Sequence, residues 1–162
     1  MVRQPFKPLV NHKSKILILG SFPSVKSRKE DFYYMHPKNR FWQILSHLFY
    51  EDFVHADVQE KTMYLNKHHI ALYDVVEVCE INGSKDATIV AIEIADIPKI
   101  IKQTEIEKVF LNGRKAESLF KLNFPHLKAM AQYLPSTSPA NAGYSLERLL
   151  KAWKQIKLLD TN

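Results

Sequence analysis

Cys79 is the only cysteine in the sequence, which leaves little room for sulfur chemistry. It cannot close an intramolecular disulfide, and it has no CxxC neighbour for a zinc site or a redox pair, so a reducing, cytoplasmic compartment is expected. No apolar run approaches the roughly 20 residues that cross a bilayer, and no start combines basic residues, an apolar stretch and a cleavage site. A soluble, unexported protein follows as the expectation. No strand is followed by GxGxxG or GxxxxGK[ST], which removes the dinucleotide and P-loop readings. His12, His47, His55, His68, His69 and His126 lack the spacing and the carboxylate or cysteine company of a metal site, so no metal and no other cofactor are expected. Ser21, Ser24, Ser136 and Ser138 sit in no GxSxG elbow, and turn or cap serines describe them better than nucleophiles. Internal repeats, linkers and low-complexity tracts are also missing.

What is present suits one compact domain over residues 1–162, with a hydrophobic content of 46% that supplies a core. Lys and Arg outnumber Asp and Glu by 23 to 17, a net charge of +6. That balance favours a polyanionic partner over a membrane or an acidic metabolite site. The run Lys15 to Gly20 is almost wholly apolar and ends on glycine, as a strand buried on both faces would. Residues 21–37 show no sustained period and read as a long loop. Phe41, Ile44, Leu45, Leu48 and Phe49 mark a helix over 39–50. A second helix covers about 58–68, a strand 71–77, and a turn Asn82-Gly83-Ser84. A helix over 95–103, a strand over 108–111, a helix over 115–122, a strand over 128–134 and an amphipathic helix over 145–158 complete the reading. Such alternation predicts a three-layer α/β/α sandwich around a mostly parallel four-stranded sheet.

In a sheet of that kind the ligand crevice lies beyond the carboxyl ends of the strands. Three segments meet there: Gly20-Ser21-Phe22-Pro23-Ser24 with its continuation His36-Pro37-Lys38-Asn39-Arg40-Phe41-Trp42, the stretch Asp74 to Asp86, and Leu134-Pro135-Ser136-Thr137-Ser138-Pro139-Ala140-Asn141. Small polar residues that expose backbone N–H groups between rigid prolines can hold phosphate oxygens and an extrahelical base.

These motifs, in this order, resemble the hypoxanthine-DNA glycosylase branch of the uracil-DNA glycosylase superfamily, over roughly Ile16 to Trp153. The HPxNxFW element, residues 36–42, is also similar to the matching stretch of mismatch-specific uracil and thymine glycosylases. The resemblance implies a monofunctional, monomeric enzyme that hydrolyses the N-glycosidic bond of deaminated bases in DNA, hypoxanthine first, with uracil as the alternative. A relative that kept the fold as a DNA-binding module is a further alternative. Uracil-directed members place an Asp or Asn in the first motif, where this chain has Phe22-Pro23; in the hypoxanthine branch the amide of HPxNxFW serves instead, which carries over onto Asn39. Its bland counterpart is a helix N-cap.

Phe41 matches the aromatic on which a flipped base stacks, with core packing as the counterpart. Phe22, His36, Asp74 and Ser136 are the other base-binding candidates, and Tyr33 and Tyr34 could touch base or sugar. Asp86 could read the base edge or only cap a turn. Ser21, Ser24, Lys38, Arg40, Ser138, Pro139, Ala140 and Asn141 are the candidates for gripping DNA, and Lys26, Arg28 and Lys29 crowd the same region. The wedge neighbourhood Ala140, Asn141, Ala142 is not bulky, which implies a preference for weakly paired targets. No lysine stands where a Schiff-base nucleophile would be needed.

Overall fold

The computed structural model describes residues 1–81 and 89–159. The turn expected at Asn82-Gly83-Ser84 and the candidate Asp86 lie outside them. Four parallel strands, β2 (Ile16–Gly20), β3 (Ile70–Asp74), β6 (Lys108–Asn112) and β7 (Ala131–Leu134), form one sheet in the order β3-β2-β6-β7. All five residues of β2 and of β3 are buried, the state their apolar runs require. In register, Ile16 pairs with Ile70 on one side and Lys108 on the other. The chain thus leaves β2 first to one neighbour and later to the opposite one. A crevice opens where such connections diverge, at the carboxyl ends of the strands.

Helices α2 (Phe41–Phe49), α3 (Val58–Lys67), α5 (Arg114–Asn123) and α6 (Leu146–Trp153) cover the sheet: α3 meets β3, α5 meets β2 and β6, and α2 packs on α6. Helix α4 (Ile97–Lys102) starts from Asp96, which caps Lys99 N–H. Asp57 and Glu60 close a reciprocal capping box at the start of α3. One core joins these layers, with Leu17, Ile18, Leu19, Phe41, Phe53, Phe110, Phe120 and Trp153 at or near zero exposure.

Four expectations need correction. Residues 25–30, expected as loop, form α1 (Val25–Glu30), which is held by its cap, because Ser24 Oγ accepts from Ser27 N–H. The strand expected over 71–77 stops at Asp74, where Val75 and Val76 donate to the carbonyls of Gly20 and Ser21 and turn the chain out of the parallel sheet. A second strand, β4 (Val76–Ile81), then pairs antiparallel with β5 (Ile89–Ile94) and with β1 (Val2–Arg3), a three-stranded sheet not expected from sequence. The strand expected over 128–134 is shorter, because Pro125–Met130 form a 3-10 turn before β7. The last helix likewise tightens into 3-10 form over Lys154–Leu159.

Candidate active site

The strand ends Gly20, Asp74 and Asn112 converge on a cavity of about 640 Å³, within the usual range of small-ligand sites. Two polar loops complete its wall, one after β2 and one after β7. Of the residues predicted from sequence, the cavity brings together Ser21, Phe22, Ser24, Tyr33, Tyr34, His36, Asn39, Asp74, Ser136, Ser138, Pro139 and Ala140. Phe41, Lys38, Arg40 and Asn141 are not part of the lining.

Asn39 is half-buried, and its amide oxygen accepts from Phe41 N–H at 2.9 Å. Only an oxygen can meet that N–H, so the orientation of the amide follows from its partner. Its NH₂ makes no hydrogen bond to the described residues, and so two donors remain for a ligand. Arg40, not Asn39, occupies the cap position of α2, although the Asn39 oxygen serves a first-turn N–H as a cap would. Two residues upstream of Lys38, His36 Nδ1 lies 3.1 Å from the Lys38 N–H. An accepting Nδ1 places the ring proton on Nε2, which makes that nitrogen a donor.

Phe41 is corrected from stacking residue to core: its ring has no exposure, packed edge-on by Trp42 and Trp153 and covered on a face by Tyr34. The Tyr34 ring lies parallel to it with centroids 4.0 Å apart, and Tyr34 lines the cavity. Tyr34 is also one of four non-glycine residues with left-handed backbone among the described residues, at φ 55°. Its buried hydroxyl has no hydrogen-bond partner among the described residues. Burial first, then the Asp74 charge, raises the pKa of that phenol far above its ordinary value and keeps it neutral.

Arg40, expected among the residues that grip DNA, pins the second loop. Its guanidinium donates to the carbonyls of Tyr144, Ser138 (3.4 Å) and Asn141 (3.1 Å), while its own N–H donates to Thr137 O. Residues 36–40 and 136–144 are therefore one unit. Within the second loop, Asn141 Nδ2 donates to Ser136 O, Ser138 N–H to Ser136 Oγ, and Ala140 N–H to Ser138 Oγ. The fully buried Thr137 exchanges two hydrogen bonds with the Asn112 side chain. Lys38 is exposed on the rim, Lys26 pairs with Glu30 at 2.8 Å, and Arg28 lies over the Phe22 ring.

Asp74 is buried at 4% exposure and accepts from Gln4 Nε2 at 2.6 Å. Its other oxygen stands over Gly20, where a Cβ would meet it at 2.5 Å, so only glycine leaves room for this carboxylate. Gln4 and Asn112 are not among the site residues expected from sequence, and Thr137 is expected only as part of its loop. Asn112 could have been, since it ends a strand at the carboxyl edge; Gln4 comes from a segment with no readable pattern.

A parallel α/β/α sandwich whose strand ends and two polar loops enclose a cavity for a nucleotide-sized group defines the structural class. The sequence matches the model of the Uracil DNA glycosylase superfamily over residues 7–159, and the chain belongs to that family. It is 32% identical over 152 residues to a hypoxanthine DNA glycosylase of Methanosarcina acetivorans, covering 91% of this chain and 94% of the relative. Another hypoxanthine DNA glycosylase, from Methanosarcina barkeri, is 32% identical over 160 residues, covering 96% and 98%. The fold superposes on the solution NMR structure of a candidate uracil DNA glycosylase from Methanosarcina acetivorans with a TM-score of 0.86, 28% identity and full coverage of both chains.

Proposed function

We propose that this protein is a monofunctional DNA glycosylase that releases hypoxanthine from deoxyinosine in DNA, as a monomer, without metal, and in the cytoplasm. The observation that carries the reading is the convergence of Asn39, Tyr34, Asp74 and the Ser136–Ala140 loop on one cavity at the strand ends. The two hypoxanthine DNA glycosylases similar along nearly the whole chain support the choice of base.

In such a reaction the C1′–N9 bond breaks with its electron pair leaving on the base, and the oxygen of a water bonds to C1′ as its proton passes to solvent. Charge of opposite sign develops on sugar and base, and donors fixed in advance toward the leaving base lower the barrier. Asn39 meets that need with its free NH₂, because its oxygen is held by Phe41 N–H. An amide is a poor proton acceptor, so its contribution is charge stabilisation and placement, not general-base catalysis. Tyr34 takes the stacking role, backed by Phe41 as by a second plate. The described lining contains no lysine, which favours attack by water over a Schiff base. Ser136 and Ser138 line the cavity, and their hydroxyls, each accepting from a backbone N–H of the loop, keep a proton that suits a phosphate oxygen.

The test is incubation with duplexes that carry inosine, uracil, xanthine or mismatched thymine, in chelator, followed by alkali to reveal abasic sites. Cleavage at inosine above the others is expected. Binding without release from any duplex would return the protein to the class of DNA-binding modules.

A further inference from the structure

Gln4 belongs to no motif of the chain, yet it is 7% exposed and bonds to Asp74, which lines the cavity. Its backbone N–H donates to Glu77 O at 2.6 Å as β1 runs beside β4, and its side-chain NH₂ donates to Asp74 Oδ2 at 2.6 Å. The side chain is itself tethered, because Gln4 Oε1 accepts from Phe6 N–H at 3.4 Å. A glutamine amide whose oxygen is held by a backbone N–H has only donors to turn toward the carboxylate. Such a donor favours the ionised carboxylate, which can then only accept. The second sheet thereby reaches into the chemistry of the first.

We propose that Gln4 is a positioning residue that locks Asp74 as an acceptor, and that Asp74 reads the ring N–H that deaminated bases have and their parents lack. Hypoxanthine carries a hydrogen on N1 where adenine carries a lone pair, and uracil carries one on N3 where cytosine carries a lone pair. A fixed carboxylate accepts from the first kind of base and repels the second. A carboxylate has up to four lone-pair directions, more than the bond from Gln4 takes up. Gly20 serves the same end, since any Cβ there would push the carboxylate off its place. A site built to accept a substrate N–H rejects an analogue without it far more strongly than shape alone could.

This inference rests on the glycosylase reading, and the experiment separates the two. Release is measured from duplexes carrying hypoxanthine or unsubstituted purine, which has no N1–H, for the wild type, Asp74→Asn, Gln4→Met, Gln4→Glu and the Asp74→Asn/Gln4→Met double variant, with thermal melts for each. Asp74→Asn is isosteric and should lower the hypoxanthine-to-purine ratio of kcat/KM by roughly tenfold or more, the usual weight of a hydrogen bond to a charge. Gln4→Met should lower the same ratio in the wild-type background and change it less than about twofold in the Asp74→Asn background, as expected for groups acting as one unit. Gln4→Glu keeps the size of the side chain but sets a second carboxyl against Asp74, and because two such groups in contact share one proton, Asp74 is no longer held as a pure acceptor and the ratio should fall at least as far. A hypoxanthine-to-purine ratio unaffected by Asp74→Asn, or an equal effect of Gln4→Met in both backgrounds, overturns the proposal. Absence of any release by the wild type would instead overturn the glycosylase reading itself.

Discussion

Asn39 has two duties on one amide: its oxygen steadies the first turn of α2 and its nitrogen faces the cavity. The duties separate in magnitude. Asn39→Ala removes one neutral hydrogen bond to a half-buried N–H, a cost of about 1 kcal/mol in stability. It should lower the rate of hypoxanthine release by about 10²–10³-fold, the usual weight of one lost donor to developing charge. Single-turnover kinetics beside a denaturant melt would show the two effects apart. Tyr34 permits a similar dissection, because ring and hydroxyl do different things. Tyr34→Phe keeps the plate on Phe41 and removes a buried hydroxyl that makes no well-aligned hydrogen bond among the described residues and has only Asn112 as a polar neighbour to assist it, so stability should change by less than about 1 kcal/mol. Tyr34→Leu loses the stacking plate, worth about 1–3 kcal/mol per base, and should raise KM or the dissociation constant of abasic-site product accordingly. At this scale the positions of Asn39 and Asp74 on the cavity wall were legible from motif and strand end. The burial of Phe41 behind Tyr34 was not legible, because spacing at three and four residues identifies a helix face without saying whether a ligand or another ring covers it.

Among the elements, β2, α2, α3, α5 and β6 were legible to within a residue or two, since each carries an unbroken apolar run or a helical stripe. Helix α1 has one buried residue, Ser27, so no stripe announced it; a cap and two serine hydrogen bonds hold it instead. The break after Asp74 was illegible because Val75 and Val76 suit either sheet, and only the carbonyls of Gly20 and Ser21 decide where the chain goes. The link between residues 36–40 and 136–144 belongs to this scale also. Lysine cannot present a planar fork to three carbonyls. Arg40→Lys should therefore loosen the second loop at a cost of about 1.5–3 kcal/mol, and hydrogen exchange should quicken over residues 136–144 with little change over β2. Equal protection in both proteins would show the pin to be idle.

For the molecule as a whole, the excess of six positive charges should appear as salt-dependent binding to DNA. Affinity for an abasic-site duplex should fall along a straight line in logarithmic coordinates between about 50 and 200 mM salt, with base discrimination nearly constant, because phosphate contacts carry no sequence information. A flat salt profile would contradict a phosphate-facing rim. The three-layer architecture was legible as a whole from the alternation of strands and helices; the antiparallel sheet of β1, β4 and β5 was not, because its pairing joins residues 2–3 to 78–79 and no local pattern reports so distant a neighbour.

The indole N–H of Trp153 donates to Pro135 O at 2.9 Å, deep beneath the loop that closes the cavity. The wall of the cavity is thus tied to a helix near the far end of the described chain, and neighbours in the parallel sheet are separated by long stretches of sequence. Encounters so far apart come late on a folding trajectory. After dilution from denaturant, catalytic competence should recover no sooner than the tryptophan emission signalling that this indole has left water, even if most helical signal returns earlier. An active species formed before that moment would mean that the loop can hold its shape without its anchor.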